Sequence, residues 1–206
     1  FEQAGGVAIA ATTALQGLRD GGRVKAGDRV LINGASGGVG TFAVQIARTM
    51  DARVTGVSST RNVALVRALG AQDTIDYKRD DYTLGAARFD VILDNVGNRT
   101  LAENRRVLVP DGRYVLIGGG GPDDAHWIGP MLKPLGAWVT SWFVDQHLGM
   151  LLAELNQNDM NVLRELMESG RVTPVVDRRY PLRQIADAVR YVESGRARGK
   201  VVVVME

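Results

Sequence analysis

The chain is 206 residues long, 45% hydrophobic and 23% charged, with a formal net charge of +2. That describes a soluble globular chain able to bury a core, and its few scattered excess charges point to no nucleic-acid partner and no membrane surface. It has no cysteine, which excludes a disulfide framework, a thiolate nucleophile and cysteine-ligated zinc within these residues and fits a cytoplasmic protein.

No run of about 18 apolar residues occurs, so no membrane-spanning helix is expected. Nor does the chain carry a signal-peptide pattern. It opens FEQAGG, without methionine and already in a helical pattern, which suggests that residues precede it.

Residues 2–20 read as a helix, with Ala8, Ala11, Leu15 and Leu18 along one face and Asp20-Gly21-Gly22 as its stop. Short apolar runs and helical stretches then alternate. Strands are expected at Arg29–Ile32, Arg53–Val57, Asp73–Asp76, Phe89–Leu93, Arg113–Ile117 and Ala137–Val144. Helices are expected at Val39–Met50, Arg61–Leu69 and about 98–108, with 148–169 mostly helical. Pro110-Asp111-Gly112 reads as a turn and Gly118–Gly121 as a glycine loop. Continuous apolar strands alternating with helices predict an α/β fold, a doubly wound parallel sheet in three α/β/α layers. The last 36 residues differ: 172–180 extended, 182–193 helical and 200–204 a strand.

Between the first strand and the helix after it lies Asn33–Gly40, NGASGGVG, which holds four glycines and the small residues Ala35 and Ser36. Ala35-Ser36-Gly37-Gly38-Val39-Gly40 has the spacing of a dinucleotide fingerprint, with Ala35 in place of its first glycine. Such a turn lets backbone approach a pyrophosphate with no side chain between, and puts a helix N-terminus against the anion. Asn33 and Gly34 suit the tight bend, Gly37 the close approach and Gly40 the packing of helix on strand. A purely structural glycine turn is the alternative. The strand before it, the helix after it and the βαβ series that follows favour the coenzyme.

A site for NAD usually carries Asp or Glu about 20 residues past the fingerprint, holding the ribose 2′-hydroxyl. Here Val57 is followed by Ser58-Ser59-Thr60-Arg61, and no acidic residue occurs between Ala52 and Gln72. Hydroxyls and a guanidinium suit a 2′-phosphate, which a carboxylate would repel. The expected cofactor is therefore NADP(H), bound with help from Ser58, Ser59 and Arg61. The plain alternative for Arg61 is a solvated side chain in the first turn of a helix.

Several stretches together resemble the medium-chain dehydrogenase/reductases, specifically their zinc-independent, zeta-crystallin-like quinone oxidoreductase branch. They are TALQGL, KAGDRVLINGASGGVGTFAVQIAR, LGAQDTIDY, FDVILDNVGN, DGRYVLIGG and RGKVVVV. The resemblance implies a Rossmann coenzyme domain over residues 1–170. It also implies that 171–206 return to a GroES-like catalytic domain, most of which is absent from this sequence. Zinc-using members carry a ligand cysteine four positions before the threonine that Thr13 matches. That position is Ile9, which cannot ligate a metal.

The resemblance further implies that Tyr77 lies against the adenine and that Asn95, Val96 and Gly97 border the two riboses. Gly118 and Phe143 would flank the nicotinamide, with Thr13 near it, and Lys200, with Arg198, would reach the cofactor. Plain readings stand beside these: loop packing for Tyr77, a helix cap for Asn95, core or interface for Phe143 and a solvated strand end for Arg198 and Lys200. Two strands 136–144 would meet across a two-fold axis and give a homodimer.

His126 and His147 lack metal-ligand spacing, Asp123-Asp124 reads as solvated, and Trp127, Trp138 and Trp142 read as core or interface packing, with the lining of a substrate pocket as the alternative. No catalytic acid–base residue is identifiable. The expected activity is NADPH-dependent hydride transfer to a quinone, enone or similar small carbonyl substrate. A nucleotide-binding protein without catalysis, and an enoyl-reductase module of a larger synthase, remain alternatives.

Overall fold

The computed structural model describes residues 6–117 and 145–205. The predicted loop at 118–121, the predicted strand at 137–144, Gly118, Phe143, His126, the three tryptophans and the 136–144 dimer contact lie outside them.

Helix α1 (Ala8–Gln16) runs on into a widened π turn, Gly17–Gly21. There follow β1 (Arg29–Asn33), α2 (Gly40–Thr49), β2 (Arg53–Ser58), α3 (Val63–Ala68), β3 (Asp73–Asp76) and β4 (Phe89–Asp94). Next come α4 (Leu101–Arg106), β5 (Leu108–Leu116), β6 (His147–Met150) and α5 (Gln157–Glu168). The chain closes with β7 (Val176–Pro181), α6 (Ile185–Glu193) and β8 (Lys200–Val204).

Among the described residues, six strands form one parallel sheet in the order β3-β2-β1-β4-β5-β6. The order reverses between β1 and β4, and open sheets of this kind take ligands outside the carboxyl ends of the strands at such a reversal. Strand β1 is apolar without alternation because both faces are covered. Val30 and Ile32 pack with α1 and α2 through Ala11, Phe42 and Ile46, while Leu31 joins Val57, Ile92 and Tyr114 on the other face. Val30, Leu31 and Ile32 have no solvent exposure. Side chains of this size contribute roughly 1.5–3 kcal/mol each when fully buried.

Three stretches differ from the sequence expectation. The residues at 148–156 are not helical. The apolar run from Leu148 to Leu152 fits strand or helix equally by pattern, and it supplies strand β6 before α5 begins. Asn156 sets that later start, its side chain accepting the Asp159 amide at 2.9 Å. The Pro110–Gly112 turn is a bulge inside β5, with Asp111 at φ 63° and a register shift opposite Phe89–Val91. The 61–69 helix starts as a 3-10 turn at Thr60–Asn62.

Strands β7 and β8 pair parallel with each other, outside the main sheet, with α6 as their crossover. Gln45 attaches this unit to α2: its Nε2 donates to the Thr173 carbonyl at 3.0 Å and its Oε1 accepts the Thr173 amide at 2.8 Å. The Gly199 amide donates to the Ser36 carbonyl at 2.9 Å, which places the start of β8 on the glycine turn. No helix among the described residues is long and apolar enough to cross a membrane.

Candidate functional site

The bend after β1 depends on two glycines. Gly34 has φ +76°, and a Cβ there would lie 2.8 Å from Val96 Cγ2. At Gly40 a Cβ would collide with the Gly34 carbonyl and come within 2.8 Å of Ala35 Cα. The Gly37 amide donates to the Gly34 carbonyl and the Thr41 amide to the Gly37 carbonyl, each at 3.0 Å, so the turn leads directly into α2. Helix α2 has no side-chain N-cap and no acidic residue in its first turn. An end without either leaves its amides and its positive dipole for an anion from outside.

That end opens onto a cavity of about 1000 Å³ at the carboxyl ends of β1, β2 and β4. The volume matches the upper range of small-molecule and cofactor sites. Of the residues expected from the sequence, Gly34, Ser36, Gly37, Gly38, Val39 and Gly40 line it from the turn. Ser58, Ser59 and Arg61 line it from the loop after β2, Tyr77 from beyond β3, Asn95 and Val96 from beyond β4, and Lys200 from β8.

Four described candidates lie off the cavity wall, among them Arg198, whose amide donates to Asp177 Oδ2 at 3.0 Å. Ala35 is fully buried beneath the turn, its amide donating to the Val57 carbonyl at 2.9 Å. The Gly97 amide donates to Asp94 Oδ1 at 2.9 Å. The Thr13 hydroxyl donates to the Ile9 carbonyl within α1 at 2.6 Å.

The lining has one sign of charge. It includes Arg61, Lys78, Arg196 and Lys200 and no carboxylate among the described residues. A cleft walled by one sign concentrates ligands of the other. The Lys200 ammonium sits over the turn, 3.5 Å from where a Cβ on Gly38 would lie, and its burial lowers its pKa. Arg61 Nη2 donates to the Arg196 carbonyl at 2.5 Å.

The search for an acid along β2 missed Asp76, which β3 brings beside the same loop. Asp76 Oδ2 accepts the Thr60 hydroxyl at 2.6 Å and Oδ1 the Lys78 amide at 3.0 Å. The Thr60 hydrogen bond, then the Lys78 amide and the charge of Arg79, hold its carboxyl below the usual aspartate range. It is not part of the cavity wall.

Asp94 stands under the β4 end with no exposure. Its Oδ1 accepts from Asn33 Nδ2 at 2.8 Å and from the Val96 and Gly97 amides at 3.0 and 2.9 Å. Its Oδ2 accepts the Tyr114 hydroxyl at 2.8 Å. Burial, then the Asp94 charge, pushes the Tyr114 pKa up. This network holds the Asn95–Gly97 loop against the cavity.

Sequence reasoning also missed Asn62, Lys78 and Arg196 on the wall. Asn62 and Lys78 directly follow candidates that were singled out, Arg61 and Tyr77. Arg196 precedes the RGK motif and carries no signal of its own.

Strand order, reversal point and bare glycine turn define a Rossmann-type α/β protein. A family model described as zinc-binding dehydrogenase matches residues 69–203, and the chain belongs to that family, the medium-chain dehydrogenase/reductases. The chain is 35% identical over 96% of its length to the bovine (Bos taurus) protein named NAD(P)H oxidoreductase RTN4IP1, mitochondrial, of which it covers 53%. It is 32% identical over 98% of its length to the tomato (Solanum lycopersicum) protein named 2-methylene-furan-3-one reductase, covering 47% of it. Among solved structures, the quinone oxidoreductase from Coxiella burnetii superposes with a TM-score of 0.85 at 28% identity, over 98% of this chain and 60% of that one. The chain thus spans about half the length of the curated relatives it matches.

Proposed function

We propose that this chain is the coenzyme-binding part of an NADPH-dependent oxidoreductase that passes hydride to a quinone, an enone or a similar small carbonyl compound without zinc. The observation that carries the reading is the uncapped α2 N-terminus, bared by Gly34 and Gly40, at a large cavity whose charged lining, among the described residues, is wholly cationic. When bound, the coenzyme supplies the hydride. The turn amides and the Ser36 hydroxyl hold its diphosphate, with Lys200 above them. Ser58, Ser59 and Arg61 hold the 2′-phosphate, Tyr77 lies on the adenine, and Asn95 and Val96 flank the riboses.

The acceptor class is supported by the names of the relatives: an NAD(P)H oxidoreductase, a 2-methylene-furan-3-one reductase and a quinone oxidoreductase. Zinc does not fit the residues present. Ile9, at the position where zinc-using members carry a ligand cysteine, has no donor atom in its side chain. We place the boundary of the coenzyme unit near residue 170, where the chain leaves α5 for the separate β7–β8 pair.

Fluorescence titration of the full-length protein with NADPH and NADH tests the reading. Tighter binding of NADPH supports it. Equal affinities, or a preference for NADH, overturn the choice of coenzyme, and binding of neither overturns the site.

A further inference from the structure

We infer, on the coenzyme reading above, that Asn62 is a positioning residue that turns the Ser36 hydroxyl proton toward the bound diphosphate. Asn62 ends the 3-10 turn after β2 and is 4% exposed. Its Nδ2 donates to Ser36 Oγ at 2.9 Å. Its Oδ1 is buried and has no hydrogen-bond partner among the described residues.

The direction of the Asn62–Ser36 bond decides what Ser36 can do. A serine oxygen has one proton and two acceptor lone pairs. With Asn62 donating into a lone pair, the serine's own proton is left to point elsewhere. Ser36 lines the cavity within the phosphate turn, so the proton can donate to a phosphate oxygen there. The opposite amide orientation would let Oδ1 accept the Ser36 proton and leave the serine only acceptor lone pairs toward an anion. Such an arrangement repels phosphate.

In the structure Nδ2 faces Ser36, and either orientation leaves one polar atom of the buried amide unpaired, so the productive one costs no more than its opposite. The rest of Ser36 is equally constrained, since its carbonyl accepts the Gly199 amide at 2.9 Å. Two neighbouring segments, one after β2 and one before β8, therefore set the orientation of one serine.

Four variants of the full-length protein test this: N62A, N62D, S36A and N62A/S36A, each titrated with NADPH and checked for an unchanged thermal midpoint. Loss of one hydrogen bond to a charged group corresponds to about a tenfold or greater loss of affinity. N62A and S36A should each weaken NADPH by about that factor, and the double variant should bind no worse than S36A. N62D should be weaker than N62A despite its closer shape, because its carboxylate can only accept the serine proton and adds repulsion. A residue acting only on the fold would not give that order. The inference is overturned if N62A binds like wild type, if the two losses multiply in the double variant, or if N62D binds as well as wild type. Failure of wild type itself to bind NADPH would instead overturn the coenzyme reading.

Discussion

The guanidinium of Arg61, in the loop after β2, donates to the main-chain carbonyl of Arg196, in the segment before β8, at 2.5 Å. One arginine thus joins the two parts of the chain that wall the proposed 2′-phosphate end of the cavity. A guanidinium has five donors, so this bond leaves others for a phosphate. R61Q removes the positive charge and keeps much of the length. Charge-assisted bonds to phosphate stabilise by roughly 1.5–3 kcal/mol, so NADPH should bind about 10- to 100-fold more weakly. NADH, which lacks the phosphate, should be nearly unaffected. Paired titrations of both coenzymes against both proteins decide this, and an equal loss for the two would show that Arg61 serves the loop rather than the phosphate.

Lys200 makes the complementary prediction. Its ammonium lies over Gly38, on the turn proposed to hold the diphosphate that NADPH and NADH share. K200M keeps the stem that packs against Gly6 and Gly38 and removes the charge. Both coenzymes should lose affinity by a similar factor, on the order of tenfold, and the loss should shrink as salt screens the wild-type attraction. Isothermal titration at two ionic strengths reads this directly. A loss confined to NADPH would move Lys200 to the other end of the cavity.

What could be read from the sequence follows from where its signals are local. The doubly wound sheet was legible because Val30–Ile32 and Val91–Leu93 are uninterrupted apolar runs, which only strands covered on both faces tolerate. The glycine turn was legible because backbone approach excludes side chains, and that exclusion is written in consecutive residues. Asp76 and Asn62 were not legible as partners of Thr60 and Ser36. Each contact joins residues separated by 16 or 26 positions, and nothing in the local pattern marks either pairing. Strand β6 is not separable from helix in the sequence because its run of apolar residues is too short for periodicity to tell the two apart. Thr13 came forward from the family resemblance alone, and its hydroxyl is engaged within its own helix.

Asp94 is the buried support of the β4 loop, and its two oxygens receive four donors. D94A would leave the Tyr114 hydroxyl, the Asn33 amide and two main-chain amides without that acceptor. Unpaired buried groups of this kind cost about 1–3 kcal/mol each before relaxation. A loss of about 3–5 kcal/mol is expected in urea denaturation, against about 1–2 kcal/mol for D94N, whose amide oxygen still accepts from Val96 and Gly97. D94N should also retain most of the coenzyme affinity. Similar losses for the two variants would mean that the charge of Asp94, rather than its acceptor geometry, holds the loop.

Asp159 on α5 anchors that helix to α1, accepting from Arg19 Nη1 at 2.5 Å, Gln16 Nε2 at 2.7 Å and Asn156 Nδ2 at 2.9 Å. The Arg19 hydrogen bond is the largest cause that lowers its pKa, from the ordinary 3.8 to about 2. A folded-state pKa below the unfolded one means that the unfolded chain binds the proton more tightly. The stabilisation is therefore complete above about pH 5 and is lost as the pH falls through 4 toward 2. The shift alone corresponds to roughly 2 kcal/mol, and water around Arg19, whose side chain is 42% exposed, reduces this to about 1–2 kcal/mol. The stability difference between wild type and D159N, measured by urea denaturation, should stay constant from pH 7 to 5 and then narrow by that amount down to pH 2. A difference that does not change with pH would show that the ion pair adds nothing beyond the hydrogen bonds that asparagine can also make.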